Sequence, residues 1–347
     1  MSAPVKSLVS IVTPVYNGEA YLAECIDSVL AQTHSNWQYT IVSNCSTDGT
    51  VDIAQRYGRK DPRITVYEAK DFLPIIANHN RAFRLISPDS QYCKVVSADD
   101  WLYPECIAKM VQLAEANPSI GIVGSYQLSG GGDKWYIRFT GLPCNTMVIS
   151  GRSICRSQLL TDLSVFGAPT SNMYRSDLVR STDSFFPNPA AEADVSACFG
   201  ALKGADFGFV HQVLSYERLH NVRTTTTSER LEAYISAKIS DLVTYGPFYL
   251  TLSERERRLE ELMDEYYKVL AVGAVNFRGK SFWAYHRKRL GELGFSLDRI
   301  RLGKAIGAKV GDLVLNPKQS LERVRRRVRP RTRVSGLSFL SEEETAL

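Results

Sequence analysis

The sequence predicts an α/β fold built around a largely parallel sheet. Two observations carry this. From the N-terminus to about residue 126, short β-rich runs alternate with segments of helical period about a dozen residues long, the signature of βαβ units. Polar clusters also follow three of the predicted strands, "TPVYN", "SNCSTD" and "SADD". Ligands of such sheets bind beyond the carboxyl ends of the strands, so one edge should carry the site.

The elements follow in order. "LVSIVTPVYNG" is a strand closed by a Pro/Asn/Gly turn, and Leu22, Cys25, Ile26, Val29 and Leu30 then recur at helical spacing. "YTIVS" is a second strand. The turn "NCSTDGT" offers Asp48 as N-cap for the helix "GTVDIAQRYG". "RITVYE" is a third strand, "IIANHNRAFRLIS" a helix, and "YCKVVS" a fourth strand that delivers Asp99 and Asp100. "YPECIAKMVQLAEANP" is helical and "IGIVGSY" a strand. Beyond residue 126, "QLSGGGDKWYIRFTGLPCN" predicts a mobile loop or irregular hairpin. "AEADVSACFGALKG" predicts an acidic pair opening a helix, and "DFGFVHQVLSYERLH" a strand. From about residue 229 the pattern is helical, which places a domain boundary near 220: residues 1–220, then a helical C-terminal region over 221–347.

The 347 residues suffice for one large domain with an appendage, or two modest domains. A hydrophobic fraction of 44% and a charged fraction of 23% are ordinary for a globular protein. No apolar run reaches the ~18 residues of a membrane span, and "MSAPVKSLVSIVTPVY" lacks a signal peptide's apolar core, so a cytoplasmic location is expected. Seven scattered cysteines without a C-x-x-C pair are expected to be reduced. The net charge of +5 is unevenly spread: Lys318 to Arg333 holds eight basic residues and one Glu. That argues against a nucleic-acid-binding body and for a basic amphipathic tail that makes peripheral contact with the inner face of a membrane. In the helix preceding that tail, Leu302, Ile306, Val310 and Leu313 mark the expected apolar stripe.

Asp99 and Asp100 place two like charges at a strand end between "CKVV" and "WLYP". One acid could cap the next helix while the other stays solvated. In a partly enclosed site the pair calls for a cation instead. Mg²⁺ or Mn²⁺ suits it, because such ions use one or two carboxylates, waters and substrate phosphates.

The stretch from "VSIVTPVYNGEAYLAECIDSVLAQT" through "SNCSTDGT", "NHNRAF" and "SADD" to "AEADVSACFGAL" and "YERLH" resembles the family 2 glycosyltransferases in order and spacing. The resemblance implies a GT-A fold: a nucleotide-binding mixed sheet flanked by helices. It also implies an inverting, metal-dependent hexosyltransferase that uses a nucleotide-sugar, most often UDP-linked. The acceptor would be a hydroxyl of a glycan or lipid-linked glycan, in polysaccharide biosynthesis. Thr13, Val15 and Tyr16 match the segment around the nucleoside, and Asn44 stands where an acid usually meets the base. Asp48 either touches ligand or caps its helix. Asn80 matches an Asn near the donor. Asp100 is expected to hold Mn²⁺ or Mg²⁺, with Asp99 on the metal or ribose. Asp194 matches the catalytic base, Glu192 is its alternate, and Arg218 and His220 match an R-x-H near the diphosphate. Ser43, Asn44, Ser97 and Ala193 are neutral where acids are common. They leave open a non-catalytic GT-A scaffold that binds nucleotide-sugar or glycan.

Overall fold

The computed structural model describes residues 7–131, 134–187, 192–219 and 232–315. Contacts divide the chain into two compact units, Met1–Met263 and Asp264–Leu347. The boundary expected near 220 falls among residues 220–231, outside the described residues.

The first unit is built on one mixed sheet. Its left half is parallel: β1 (Val9–Val15) lies between β2 (Trp37–Ser43) and β4 (Tyr92–Val95), with β3 (Ile64–Glu68) outside β2. Helices α1 (Leu22–Leu30), α2 (Thr50–Gly58) and α3 (Ile75–Phe83) make the crossovers. α1 buries Leu22, Cys25, Ile26 and Val29, the stripe expected from its periodicity, against the β1–β2 face. Each such side chain contributes about 1.5–3 kcal/mol. Register pairs Val15 with Ser43 and Ser43 with Glu68, so these strands end level and their following loops meet.

The right half departs from the parallel pattern. The long strands β6 (Ile120–Gly131) and β10 (Asp206–Arg218) run parallel to each other, whereas β9 (Asn172–Arg175) runs antiparallel to both β4 and β6. The short strands β5 (Trp101–Leu102) and β8 (Val148–Ile149) pair antiparallel with β10. Where the sequence predicted a mobile loop or irregular hairpin, β7 (Lys134–Arg138) pairs antiparallel with β6, whose last two residues are Gly130 and Gly131. Flanking helices are α4 (Cys106–Ala116), α5 (Gly151–Leu160), α6 (Ser176–Arg180), α7 (Ala193–Ala201) and α8 (Ala233–Tyr249). α8 is fastened to α7: Ser196 donates to Asp241 at 2.5 Å and the Tyr249 hydroxyl to the Phe199 carbonyl at 2.6 Å.

The division between units falls within α9 (Leu252–Val275). The second unit continues through α10 (Lys280–Glu292) and α11 (Arg299–Leu315). Within it, the Tyr266 hydroxyl bonds His286 at 2.7 Å and Arg301 pairs with Asp264 at 2.5 Å. Asp298 accepts from the backbone N–H groups of Ile300 and Arg301, satisfying two donors that open α11. No helix among the described residues is long and apolar enough to cross a membrane.

Candidate active site

The loops after β1 and β2 are laced together. Asn17, in the left-handed region at φ 52°, accepts from the Thr47 N–H at 2.8 Å, and its own N–H donates to Ser46 at 3.1 Å. Gly18 N–H donates to the Thr50 hydroxyl. Asp48 accepts from the N–H groups of Glu19 and Thr50, each at 3.1 Å, and from the Thr50 hydroxyl. Burial opposes its charge, yet these bonds hold its carboxyl below the usual range. Asp48 does not cap α2; the cap position is Gly49, and Asp48 instead ties the two loops.

Several residues expected at the nucleotide lie within the frame. Thr13 is buried, hydrogen-bonded to Tyr39 and the Val96 carbonyl at 2.8 Å each, and Val15 is buried as well. Tyr16 is 51% exposed and meets the exposed Phe72 edge-on at 5.0 Å. Asn44 is buried with both ends of its amide on the Leu73 backbone, at 2.8 and 3.0 Å. Asn80 likewise grips Phe186 and Ser184. Both amides act as loop clamps, because a buried amide must be hydrogen-bonded and here backbone answers it. Asn44 thereby sets the position of Phe72, which nothing in the sequence marks.

The acidic pair follows β4 in a tight turn closed by Asp100 N–H to the Ser97 carbonyl at 3.0 Å. Asp100 is buried. One carboxylate oxygen accepts from the Thr170 hydroxyl at 2.7 Å and the other from the Arg218 N–H at 3.2 Å. Burial and then the Asp99 charge push its carboxyl well up, with Glu217 adding to the effect. Thr170 lies in a 3-10 turn, Pro169–Ser171, held from below by Lys94. The Lys94 amine is wholly buried and donates to the carbonyls of Thr170 and Asn172, at 2.8 and 3.1 Å. Lys94 thus carries the turn that carries Thr170, which in turn holds Asp100.

Arg218 closes the other side. Its guanidinium donates to the Asp99 carbonyl at 3.3 Å and pairs with Glu24. It lies 4.5 Å from the Tyr21 ring centre and 5.2 Å from that of Trp101. Trp101 stacks on Tyr216 at 3.6 Å, and Trp135 lies 5.7 Å beyond.

Glu217 links the two acidic groups. It accepts from Ser129 at 2.6 Å and pairs with Arg138 at 2.7 Å. Its charge bears on Asp100 and also on Asp194, in the first turn of α7. Burial raises the Asp194 carboxyl, while the Val195 N–H, its own N–H and Arg138 pull it back. Glu192, left-handed at φ 64°, is pushed up to about 7 by burial, then by Asp194 and Asp241. Glu217, paired with Arg138, thus bears on both Asp100 and Asp194, while Arg218 meets Asp99 and Asp100 and Glu192 stands near Asp194 in sequence and feels its charge. His220 lies outside the described residues.

Sequence reasoning missed Glu217, Arg138, Thr170 and Lys94. The available signal was a charged residue ending β7, another one short of the end of β10, and a lysine inside an otherwise apolar strand. Among the described residues no three His, Cys, Asp or Glu side chains cluster as a metal cage. The chain offers a buried Asp100, met by neutral donors and with Glu217 bearing on it, and the half-buried Asp99 next to it. That donor set suits Mn²⁺ or Mg²⁺ completed by phosphate and water.

Raised acids at α7 have a measurable consequence. Glu192 prefers its neutral form in the fold, so it favours the folded state below pH ~4.5, and this contribution is lost as pH rises through about 7. Glu192→Gln is expected to leave the thermal midpoint unchanged at pH 4 and to stabilise the chain at pH 8 by on the order of 1–3 kcal/mol. Melting curves at the two pH values check this; equal shifts at both would contradict it.

A mixed sheet of this order, flanked by helices and followed by a helical region, is the GT-A glycosyltransferase fold. The chain belongs to glycosyl transferase family 2, whose model matches residues 10–181. That match includes Asp99 and Asp100 and ends before Asp194 and Glu217. Among curated relatives, TuaG of Bacillus subtilis (strain 168), a glycosyltransferase named for teichuronic acid biosynthesis, is 39% identical over 95 residues. These residues make up 27% of this chain, which spans only 37% of TuaG. Among solved structures, S. aureus TarS 1-349 in complex with UDP-GlcNAc superposes with a TM-score of 0.61 at 15% identity, covering 90% of this chain and 92% of that one. The mannosyltransferase PcManGT from Pyrobaculum calidifontis, with GDP-Man and Mn²⁺, gives 0.53 at 14% identity, covering 87% and 88%. At these identities the superpositions speak for the fold alone.

Proposed function

We propose that the chain is an inverting glycosyltransferase of glycan or polysaccharide synthesis, moving a sugar from a UDP-sugar to a hydroxyl of a glycan or lipid-linked acceptor. The observation that carries this reading is that one ion pair, Arg138–Glu217, bears through Glu217 on both Asp100 and Asp194. On this reading the acidic pair serves the donor diphosphate and Asp194 serves the acceptor.

Asp194 takes the proton of the acceptor hydroxyl as its oxygen attacks the anomeric carbon. The bond from that carbon to the diphosphate oxygen breaks on the opposite face, inverting the centre. Asp194 must be ionised to act, and Arg138 favours that form. Arg218 offers positive charge beside Asp99, and Tyr16 with Phe72 offers an aromatic edge for the nucleoside. Asp100, with Asp99, would hold a divalent ion that neutralises charge on the leaving diphosphate. We assign residues 1–220 as the catalytic domain.

The reading is tested with UDP-GlcNAc, UDP-glucose and GDP-mannose. Release of nucleoside diphosphate from a UDP-sugar, dependent on Mn²⁺ or Mg²⁺, is expected. Binding of donor without turnover against any glycan or lipid-linked acceptor pool would favour a non-catalytic scaffold, to which the neutral Ser43, Asn44, Ser97 and Ala193 point.

A further inference from the structure

We propose that α11 is a docking helix for an anionic lipid surface, through the face that carries Ile300, Val310 and Val314. The sequence alone points to a stripe of Leu302, Ile306, Val310 and Leu313. In the structure Leu302, Ile306 and Leu313 are half-buried, and a neighbouring arc is left open. Ile300 is 73% exposed, Val310 45%, Val314 71% and Leu315 80%. At about 100° per residue, Ile300, Gly303, Gly307, Val310 and Val314 share an arc of about 80°. A Cβ placed on Gly303 or Gly307 would meet nothing within 4 Å, so among the described residues the arc is open at these two positions. Arg299 and Lys304, both exposed, flank it on either side. Other charges of the helix are engaged: Arg301 with Asp264, and Lys309 with Asp312 at 3.2 Å.

Charge selects the occupant. Residues 1–263 hold 24 Lys and Arg against 28 Asp and Glu; residues 264–347 hold 18 against 9. The second unit is thus strongly basic and the first slightly acidic. The apolar arc with a basic rim belongs to the basic unit, and eight more basic residues follow in sequence between Lys318 and Arg333. Two such surfaces would repel each other, which disfavours a second copy of this chain. A nucleic acid would find phosphate partners but, within α11, no aromatic ring on which to stack a base. An anionic bilayer answers both features: its headgroups take the rim and its acyl boundary takes Ile300, Val310 and Val314. The surface shares no residue with the carboxylate site, so its test is independent of the glycosyltransferase reading.

The full chain is floated with vesicles of phosphatidylcholine alone and of phosphatidylcholine with phosphatidylglycerol. Binding to the anionic vesicles is expected to be at least about tenfold tighter, and Ile300→Asp with Val314→Asp to weaken it by at least about tenfold. The melting temperature should not move, because both side chains are mostly in solvent. Equal binding to the two vesicle types, binding to neither, or equal flotation of wild type and double variant overturns the proposal. So does preference for a DNA duplex over the anionic vesicles, or a dimer in lipid-free solution that the double variant dissolves.

Discussion

Asp194→Asn is expected to slow sugar transfer by about 10²- to 10⁴-fold, the usual worth of a positioned general base, while nucleotide affinity stays within about threefold. Asn keeps the shape of Asp194 at the start of α7 but cannot take a proton. In the proposed function Asp194 serves the acceptor and is not among the residues assigned to the nucleotide, so binding should survive. The pH profile carries a second signature. Burial raises the Asp194 carboxyl, so the rate should climb with pH above the ordinary carboxylate range as the base ionises. Removing the cation in Arg138→Gln should move that climb to higher pH. Initial rates across pH, with nucleotide titrations by calorimetry, check both statements. Unchanged turnover in Asp194→Asn would pass the role to Glu192, whose carboxyl at about 7 would place the climb near neutrality.

Asp100→Asn is expected to act in two opposite directions. With Mn²⁺ present, nucleotide affinity should fall by on the order of 100-fold or more, since even groups that merely orient a metal ligand are typically worth 10- to 100-fold. Without metal, the variant should melt higher than wild type at pH 8. The buried carboxyl is raised by burial and by Asp99, so its charged form burdens the fold once pH passes its folded pKa. In acid, where the carboxyl is neutral, the difference should vanish. Asn can meet the same partners, its oxygen taking the Arg218 N–H and its amide donating to the Thr170 hydroxyl. Calorimetry of UDP with and without Mn²⁺, and melts at acid and alkaline pH, measure the two effects. Metal-independent UDP affinity in wild type, retained in the variant, would remove Asp100 from the donor site.

The contrast between Asp100 and Asn44 shows what local sequence can convey. Both stand at strand ends beside candidate ligand space. Asp100 faces other acids, whereas the Asn44 amide is engaged with Leu73 and supports a loop. Spacing placed both residues just after strands of the parallel half and could not say which way either would face. Asn80 poses the same problem, its partners Ser184 and Phe186 lying more than a hundred residues away.

The sequence by itself determined the alternation of strands and helices, the buried stripe of α1 and the strand that ends at the acidic pair. These are consequences of backbone period, 2 for a strand and 3.6 for a helix, and are written in neighbouring residues. Tertiary structure alone decided that Glu217 bears on both Asp100 and Asp194, that Lys94 holds Thr170 against Asp100, and which arc of α11 stays in solvent. Those relations join residues up to 118 positions apart, as in the Arg218 N–H on Asp100. They depend on how the sheet brings β4, β7, β9 and β10 together, and no local period encodes that.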